Sequence, residues 1–249
     1  MFDCHVHTRF SNDSCEQIRD ICEWAISKKL HGICFTDHVD AIQKQYMNVP
    51  EHVEDFLKEI QQIKNEFDGK LKIFSGYEFS EPHKNLELYK LINSYEFDYR
   101  MCSIHHNKEG VFPNTGEDQL EYTNNYLREV LRVVSDFSFN ALGHVDLPRR
   151  YFGSFVYSKE LLTQIYLMMI KKQIALEINT SSFRCNYSSM DLKYVELYKK
   201  CGGNQIVLGS DAHKKEEIAR GFELLVPQLP NKLLIGHIEE NSFYIDKRT

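Results

Sequence analysis

The sequence predicts an α/β fold in which a parallel sheet, with its helical crossovers outside, closes into a seven-stranded or distorted barrel. Three observations support this. Short apolar or β-rich runs alternate with helical patterns about seven times over the 249 residues. Nearly every cluster of His, Asp and Glu falls at or just past the C-terminal end of one of those runs, the edge where parallel α/β folds place their active sites. No internal repeat, low-complexity tract or Pro/Gly/Ser-rich linker divides the chain, so residues 1–249 are expected to form one domain.

The strand runs are Phe2 to His7, Gly32 to Thr36, Leu71 to Phe79, Phe97 to Ile104, Phe139 to Gly143, Ile174 to Ile178 and Gln205 to Gly209. Helical spacing occupies the intervals: Cys15 to Lys29, Glu51 to Phe67, Leu86 to Ser94, Asp118 to Ser135, Lys159 to Lys172, Asp191 to Cys201 and Lys215 to Val226. Asn241 to Asp246 reads as a final short strand. Each strand followed by a helix implies right-handed βα crossovers, and this chain length favours closure over an open sheet.

Composition narrows the function. With 30 Lys and Arg against 36 Asp and Glu, the formal charge is −6, which gives no global attraction for nucleic acid. The N-terminus lacks a charged and then apolar leader, and no apolar run approaches the roughly 20 residues that span a bilayer. No membrane partner is expected, and the chain reads as soluble and cytoplasmic. The seven cysteines are scattered without a C-x-x-C spacing, so they read as reduced packing residues.

The chemistry lies at the strand ends. The first strand ends in His5-Val6-His7, whose period of two puts both imidazoles on one face. Thr36-Asp37-His38, Glu78, Ser103-Ile104-His105-His106, His144-Val145-Asp146 and Ser210-Asp211-Ala212-His213 end five other strands. So many ionisable groups at one barrel mouth would be costly to bury without compensating charge. Divalent metals supply it, and His and carboxylate donors without thiolate suit zinc, manganese or iron. There is no G-x-S-x-G elbow for a Ser-His-Asp triad and no phosphate-cradling or dinucleotide-binding glycine loop. His31, His52 and His237 lie within or beside helical patterns and read as surface or capping residues.

Taken together, His5-Val6-His7, Thr36-Asp37-His38, Gly76-Tyr77-Glu78, Ser103-Ile104-His105, Gly143-His144 and Gly209-Ser210-Asp211-Ala212-His213 resemble the polymerase and histidinol phosphatase (PHP) family. The resemblance covers nearly the whole chain. It implies a distorted (βα)7, TIM-like barrel with two to three divalent ions. By residue-by-residue transfer, His5, His7, Glu78 and Asp211 would hold the first ion, and Glu78 would bridge to a second held by His105 and His144. A third would use Asp13, His38 and His213. Some relatives carry histidine at the position of Asp13, and Asp13-Ser14-Cys15-Glu16 also reads as a helix start that would compete for its carboxylate.

Within the family the chain is most similar to histidinol-phosphate phosphatases of the bacterial biosynthetic type. The matching segments are Glu81-Pro82-His83, the stretch from His144 to Tyr151, and the stretch from Glu177 to Arg184. Arg150 and Arg184 follow strands five and six, and a guanidinium fork fits phosphate oxygens. Spacing alone does not separate Arg149 from Arg150; the resemblance favours Arg150. The expected reaction is hydrolysis of a phosphate monoester, L-histidinol phosphate, with inorganic phosphate as product. The ions would generate the nucleophile, and Arg150 and Arg184 would neutralise the phosphoryl oxygens. His83, His106 or an ion-held water would protonate the leaving alkoxide, and Asp37 would orient ligands or accept a proton. Tyr151 and Phe183 are candidates to flank an imidazole-bearing substrate. Two other readings compete: another small phosphoester or nucleotide as substrate, and a non-catalytic, metal-stabilised scaffold. The full ligand set argues against the second.

Overall fold

The computed structural model describes residues 1–106, 116, 118–183 and 191–246. The seven expected strands are present as β1 (Phe2–Val6), β2 (Gly32–Asp40), β3 (Lys72–Ser80), β4 (Tyr99–Ser103), β5 (Ala141–Leu142), β6 (Ala175–Asn179) and β7 (Gln205–Gly209). They pair in sequence order and in parallel. An unexpected strand, β8 (Leu234–Glu239), runs parallel to β7, and β9 (Ser242–Ile245) turns back antiparallel on it.

Closure explains the distortion. At the mouth, the chain just past β7 bonds directly to β1: Asp211 donates its N–H to the His5 carbonyl at 2.8 Å, and His7 donates to the Ala212 carbonyl at 2.9 Å. At the opposite end β8 occupies that place, with Phe2 of β1 stacked on His237 at 3.8 Å between ring centroids. The seven strands therefore close at the mouth, where the polar clusters converge, while at the base β8, bonded to β7, packs its side chains against β1.

Helices α1 (Ile18–Ser27), α2 (Pro50–Glu66) and α3 (Leu86–Ile92) cover β1 to β3, and α4 (Gln119–Asp136), α6 (Lys159–Lys172) and α7 (Lys193–Lys200) cover β4 to β7. Their buried stripes follow helical spacing, as in Val53, Phe56, Ile60 and Ile63 of α2. The side chains of Asp118 and Ser158 accept backbone N–H bonds at the starts of α4 and α6. Two short helices, α5 (Arg149–Phe152) and α8 (Phe222–Leu225), are also present among the described residues. The helix expected over Lys215 to Val226 is broken, because Ala219 and Gly221 adopt left-handed backbone with φ of 54° and 81°. Among the described residues, no helix is long and apolar enough to cross a membrane.

Inside the barrel, β1 to β8 each contribute to one apolar plug, which includes Phe2, Cys4, Cys34, Phe74, Tyr99, Met101, Ala141, Ala175, Val207 and Ile238. The polar cluster lies above it. Strand β1 passes between the two layers through a bulge: Asp3 pairs with Ile33 and Val6 with Phe35, so that Cys4 and His5 stand against Cys34 alone, two residues against one. The bulge lets consecutive residues, Cys4 and His5, face the interior, one in the plug and one in the polar layer.

Candidate metal centre and active site

Strand alternation delivers the side chains. Cys34 and His38 on β2, and Phe74 and Glu78 on β3, share inward faces, and the register pairs His38 with Glu78. Glu78 is fully buried. Its Oε1 lies 2.8 Å from His144 Nε2 and 3.4 Å from His105 Nε2. Its Oε2 lies 3.4 Å from His5 Nε2, 3.7 Å from His7 Nε2 and 2.9 Å from His38 Nδ1. One carboxylate thus faces two sets of imidazoles. Burial would raise its pKa, but the charges of His5 and His105 and hydrogen bonds from His105 and His144 hold it well below the usual carboxylate range.

Three groups of donor atoms overlap here among the described residues: His5, His7 and Asp211; Glu78, His105 and His144; and His7, His38 and His213. The first brings together three of the four residues expected for the first ion, with Glu78 beside them, and the second brings together the three expected for the second ion. In the third, His7 completes the triple. Asp13 lies beside it, with Oδ2 3.4 Å from His38 Nε2 and 3.2 Å from His213 Nε2. The competition for Asp13 does not arise: α1 begins at Ile18 after Gln17, which leaves the Asp13 carboxylate free for the two histidines. At 56% side-chain exposure it is nonetheless the most open of the nine.

The donor set fits divalent ions on its own geometry. His7 Nδ1 meets Ser11 Oγ at 3.0 Å, and that hydroxyl already donates to Asp37, so Nδ1 carries the proton and Nε2 presents a lone pair. His5 Nε2 sits 3.0 Å from His7 Nε2, and His105 Nε2 sits 3.2 Å from His144 Nε2. Each converging pair must share either a proton or a metal cation, and the buried carboxylates beside them favour positive charge at that point. Burial, with His213 and His38 close by, pushes His7 well below its ordinary value. Burial alone would also lower His5, but Glu177, Glu78 and Asp211 raise it well above.

Asp211 takes a left-handed backbone, φ 54°, as its short polar side chain allows. Its Oδ1 faces His7 at 3.3 Å and His5 at 3.6 Å, and its Oδ2 accepts from Arg150 and Ser181. Arg150 therefore reaches the mouth. Arg149 does not: it bonds Asp146 at 3.1 Å and stacks over Phe183 at 4.6 Å. That contact also covers Phe183, so the expectation that it flanks a substrate ring is not supported. Arg184 lies outside the described residues.

The remaining expected residues divide. Asp37 is fully buried beneath the cluster; it accepts from Thr8 N at 2.7 Å, Thr8 Oγ1 at 2.8 Å and Ser11 Oγ at 2.7 Å. It orients His7 through Ser11, and its oxygens are occupied by donors. His106 sits beside the cluster, with Nδ1 3.3 Å from Glu81 Oε2 and Nε2 3.1 Å from Gln43; the bond to Glu81 raises its pKa above the ordinary value. His83 is drawn elsewhere. Its Nε2 lies 2.7 Å from Glu129 on α4, and it joins none of the donor groups among the described residues.

Sequence reasoning missed two buried acids. Glu81, in left-handed backbone at φ 52°, accepts the N–H groups of both His105 and His106. With Asp40 and His106 it forms a fourth donor group. Glu177 on β6 lies within 2.6 Å of His5 Nδ1. The available signal was an acid inside an otherwise apolar strand, Ala175-Leu176-Glu177-Ile178.

The PHP domain model matches residues 3–181. The chain belongs to the PHP domain family. Among PHP relatives, the "Probable histidinol-phosphatase" of Thermotoga maritima is 31% identical over 92% of this chain and 91% of its own length. The "Histidinol-phosphatase" of Lactococcus lactis is 33% identical over 85% of this chain and 83% of its own. The crystal structure of histidinol phosphate phosphatase from Lactococcus lactis, complexed with zinc, L-histidinol and phosphate, superposes with a TM-score of 0.78 at 26% identity and covers 98% of each chain.

Proposed function

We propose that this PHP-family chain is a phosphoric monoester hydrolase that converts L-histidinol phosphate to L-histidinol and inorganic phosphate in histidine biosynthesis. The observation that carries the reading is Glu78, whose two oxygens face separate imidazole sets at the mouth that Arg150 overlooks. The named relatives and the zinc, histidinol and phosphate in the Lactococcus lactis structure support the choice of substrate.

In this reading His5, His7, Glu78 and Asp211 hold one divalent ion; Glu78, His105 and His144 hold a second; and His38, His213 and Asp13 hold a third, with His7 adjoining. Zinc, manganese and iron all suit these donors. When bound, such ions supply Lewis acidity and a water-derived nucleophile near neutral pH. Arg150 presents guanidinium N–H groups to the non-bridging phosphoryl oxygens, where charge spreads in the transition state. Asp37, through Ser11, keeps His7 in its ligating tautomer. Among candidate proton donors to the leaving alkoxide, His106 is favoured by position, since it adjoins His105 at the cluster while His83 is turned to Glu129 on α4; using it would require its contacts with Glu81 and Gln43 to open.

Phosphate release across a panel of histidinol phosphate, other small monoesters and nucleotides tests the substrate. A preference for histidinol phosphate of at least about tenfold in kcat/KM, or ~1.4 kcal/mol, is expected. A flat profile would remove the specific assignment and leave a general phosphoesterase.

A further inference from the structure

The geometry points to Glu177 as the positioning residue that sets the proton of His5 and the backbone of His144, so that one buried carboxylate aligns a ligand of each of two ions. The inference rests on the metal-site reading above and goes beyond the nine ligands, none of which is Glu177.

Glu177 is fully buried in β6. Its Oε1 lies 2.6 Å from His5 Nδ1, and its Oε2 accepts the backbone N–H of His144 at 2.6 Å. Asn179 Nδ2 approaches both oxygens at 3.3 Å and also reaches Asp211 Oδ2 at 3.3 Å. The partners from His144 and Asn179 can only donate, so the carboxylate acts as an acceptor throughout. His5 must then carry its proton on Nδ1, which leaves the Nε2 lone pair facing Glu78, Asp211 and His7. A carboxylate behind a ligating histidine fixes ring orientation and raises ligand basicity. Here the same carboxylate also fixes the main chain at His144, whose Nε2 faces the other oxygen of Glu78.

The barrel is shaped around this group. A Cβ on Gly209, the neighbour of Asn179 in the β6–β7 register, would lie 2.0 Å from Glu177 Oε1 and 2.7 Å from the Cβ of His5. The position admits only glycine while the carboxylate stays in place.

An amide of the same shape cannot replace it. With its oxygen towards His5, a glutamine would set its NH2 against the His144 N–H, donor against donor. Turned over, it would donate to His5 Nδ1 and force the proton onto Nε2, where His5 can no longer bind an ion.

The test uses the zinc-loaded protein with 15N-labelled histidine. In the wild type, nuclear magnetic resonance should show His5 protonated at Nδ1 and metal-bound through Nε2. Zinc affinity, measured by chelator competition, should fall roughly 10- to 100-fold in Glu177→Gln. A folded variant with zinc affinity within about threefold of wild type would overturn the inference. So would a wild-type His5 with Nδ1 unprotonated, a result that stands even if the variant fails to fold. Neither readout involves substrate, so a failure of the histidinol phosphate assignment would leave these outcomes unaffected.

Discussion

Glu78→Gln is the substitution for which the structure predicts the largest loss at the smallest change in shape. The glutamine keeps the volume of a fully buried side chain but offers one oxygen and one NH2 in place of two equivalent oxygens. With its oxygen towards His105 and His144, the NH2 meets the side held by His5, His7 and His38; turned over, the mismatch moves to the other side. Either way one ion loses a ligand and the other loses that ligand's charge. Each loss is comparable to a charged hydrogen bond, about 1.5–3 kcal/mol. That weakens each ion roughly 10- to 150-fold, and hydrolysis requires both. Phosphate release in metal-limited buffer should therefore fall at least about 100-fold. Metal analysis after dialysis should count fewer ions per chain than in wild type. Wild-type turnover with a wild-type ion count would refute the bridging role.

Two further outcomes follow from the same geometry. Ions held at about 100 times their dissociation constants stabilise by ~2.7 kcal/mol each. For a chain of this size, chelating two of them should lower Tm by roughly 11–22 °C, and a calorimetric scan unmoved by chelator would show that the cluster does not bind ions in solution. Arg150→Ala should cut kcat/KM for the phosphate ester about 100-fold or more, with Lys restoring little because it lacks the planar fork. An unchanged kcat/KM would take Arg150 out of the phosphate site.

Most of the barrel was legible because its outer faces and helices obey simple periodicity. The errors have local causes. Strand β2 runs to Asp40, well past the Thr36 where the apolar run ends, because in a barrel mouth the inward positions are polar. Strand β8 went unrecognised because Gly236 and His237 interrupt a short run. The candidate ligands were legible since histidines at strand ends are conspicuous. Glu81 and Glu177 were not, because a buried acid is defined by what surrounds it, and their side-chain partners come from β1 and the loops after β4 and β5. Arg149 and Arg150 separated only once the short helix α5 turned them to different sides.

The closure of β1 on the chain after β7 joins the two ends of the sequence at the site. Asp3 accepts the Ser210 N–H across 207 residues of sequence, beside the bonds that join His5 and His7 to Asp211 and Ala212. A chain still on the ribosome holds His5 and His7 from the start but lacks their closing partners until its last quarter is made. Under the proposed ligand set, full ion loading is expected only after residues 210–213 have been made and have closed on β1. Fragments ending before Gln205 should copurify with fewer ions than the whole protein, and metal content becomes a gauge of how many molecules have closed their barrel.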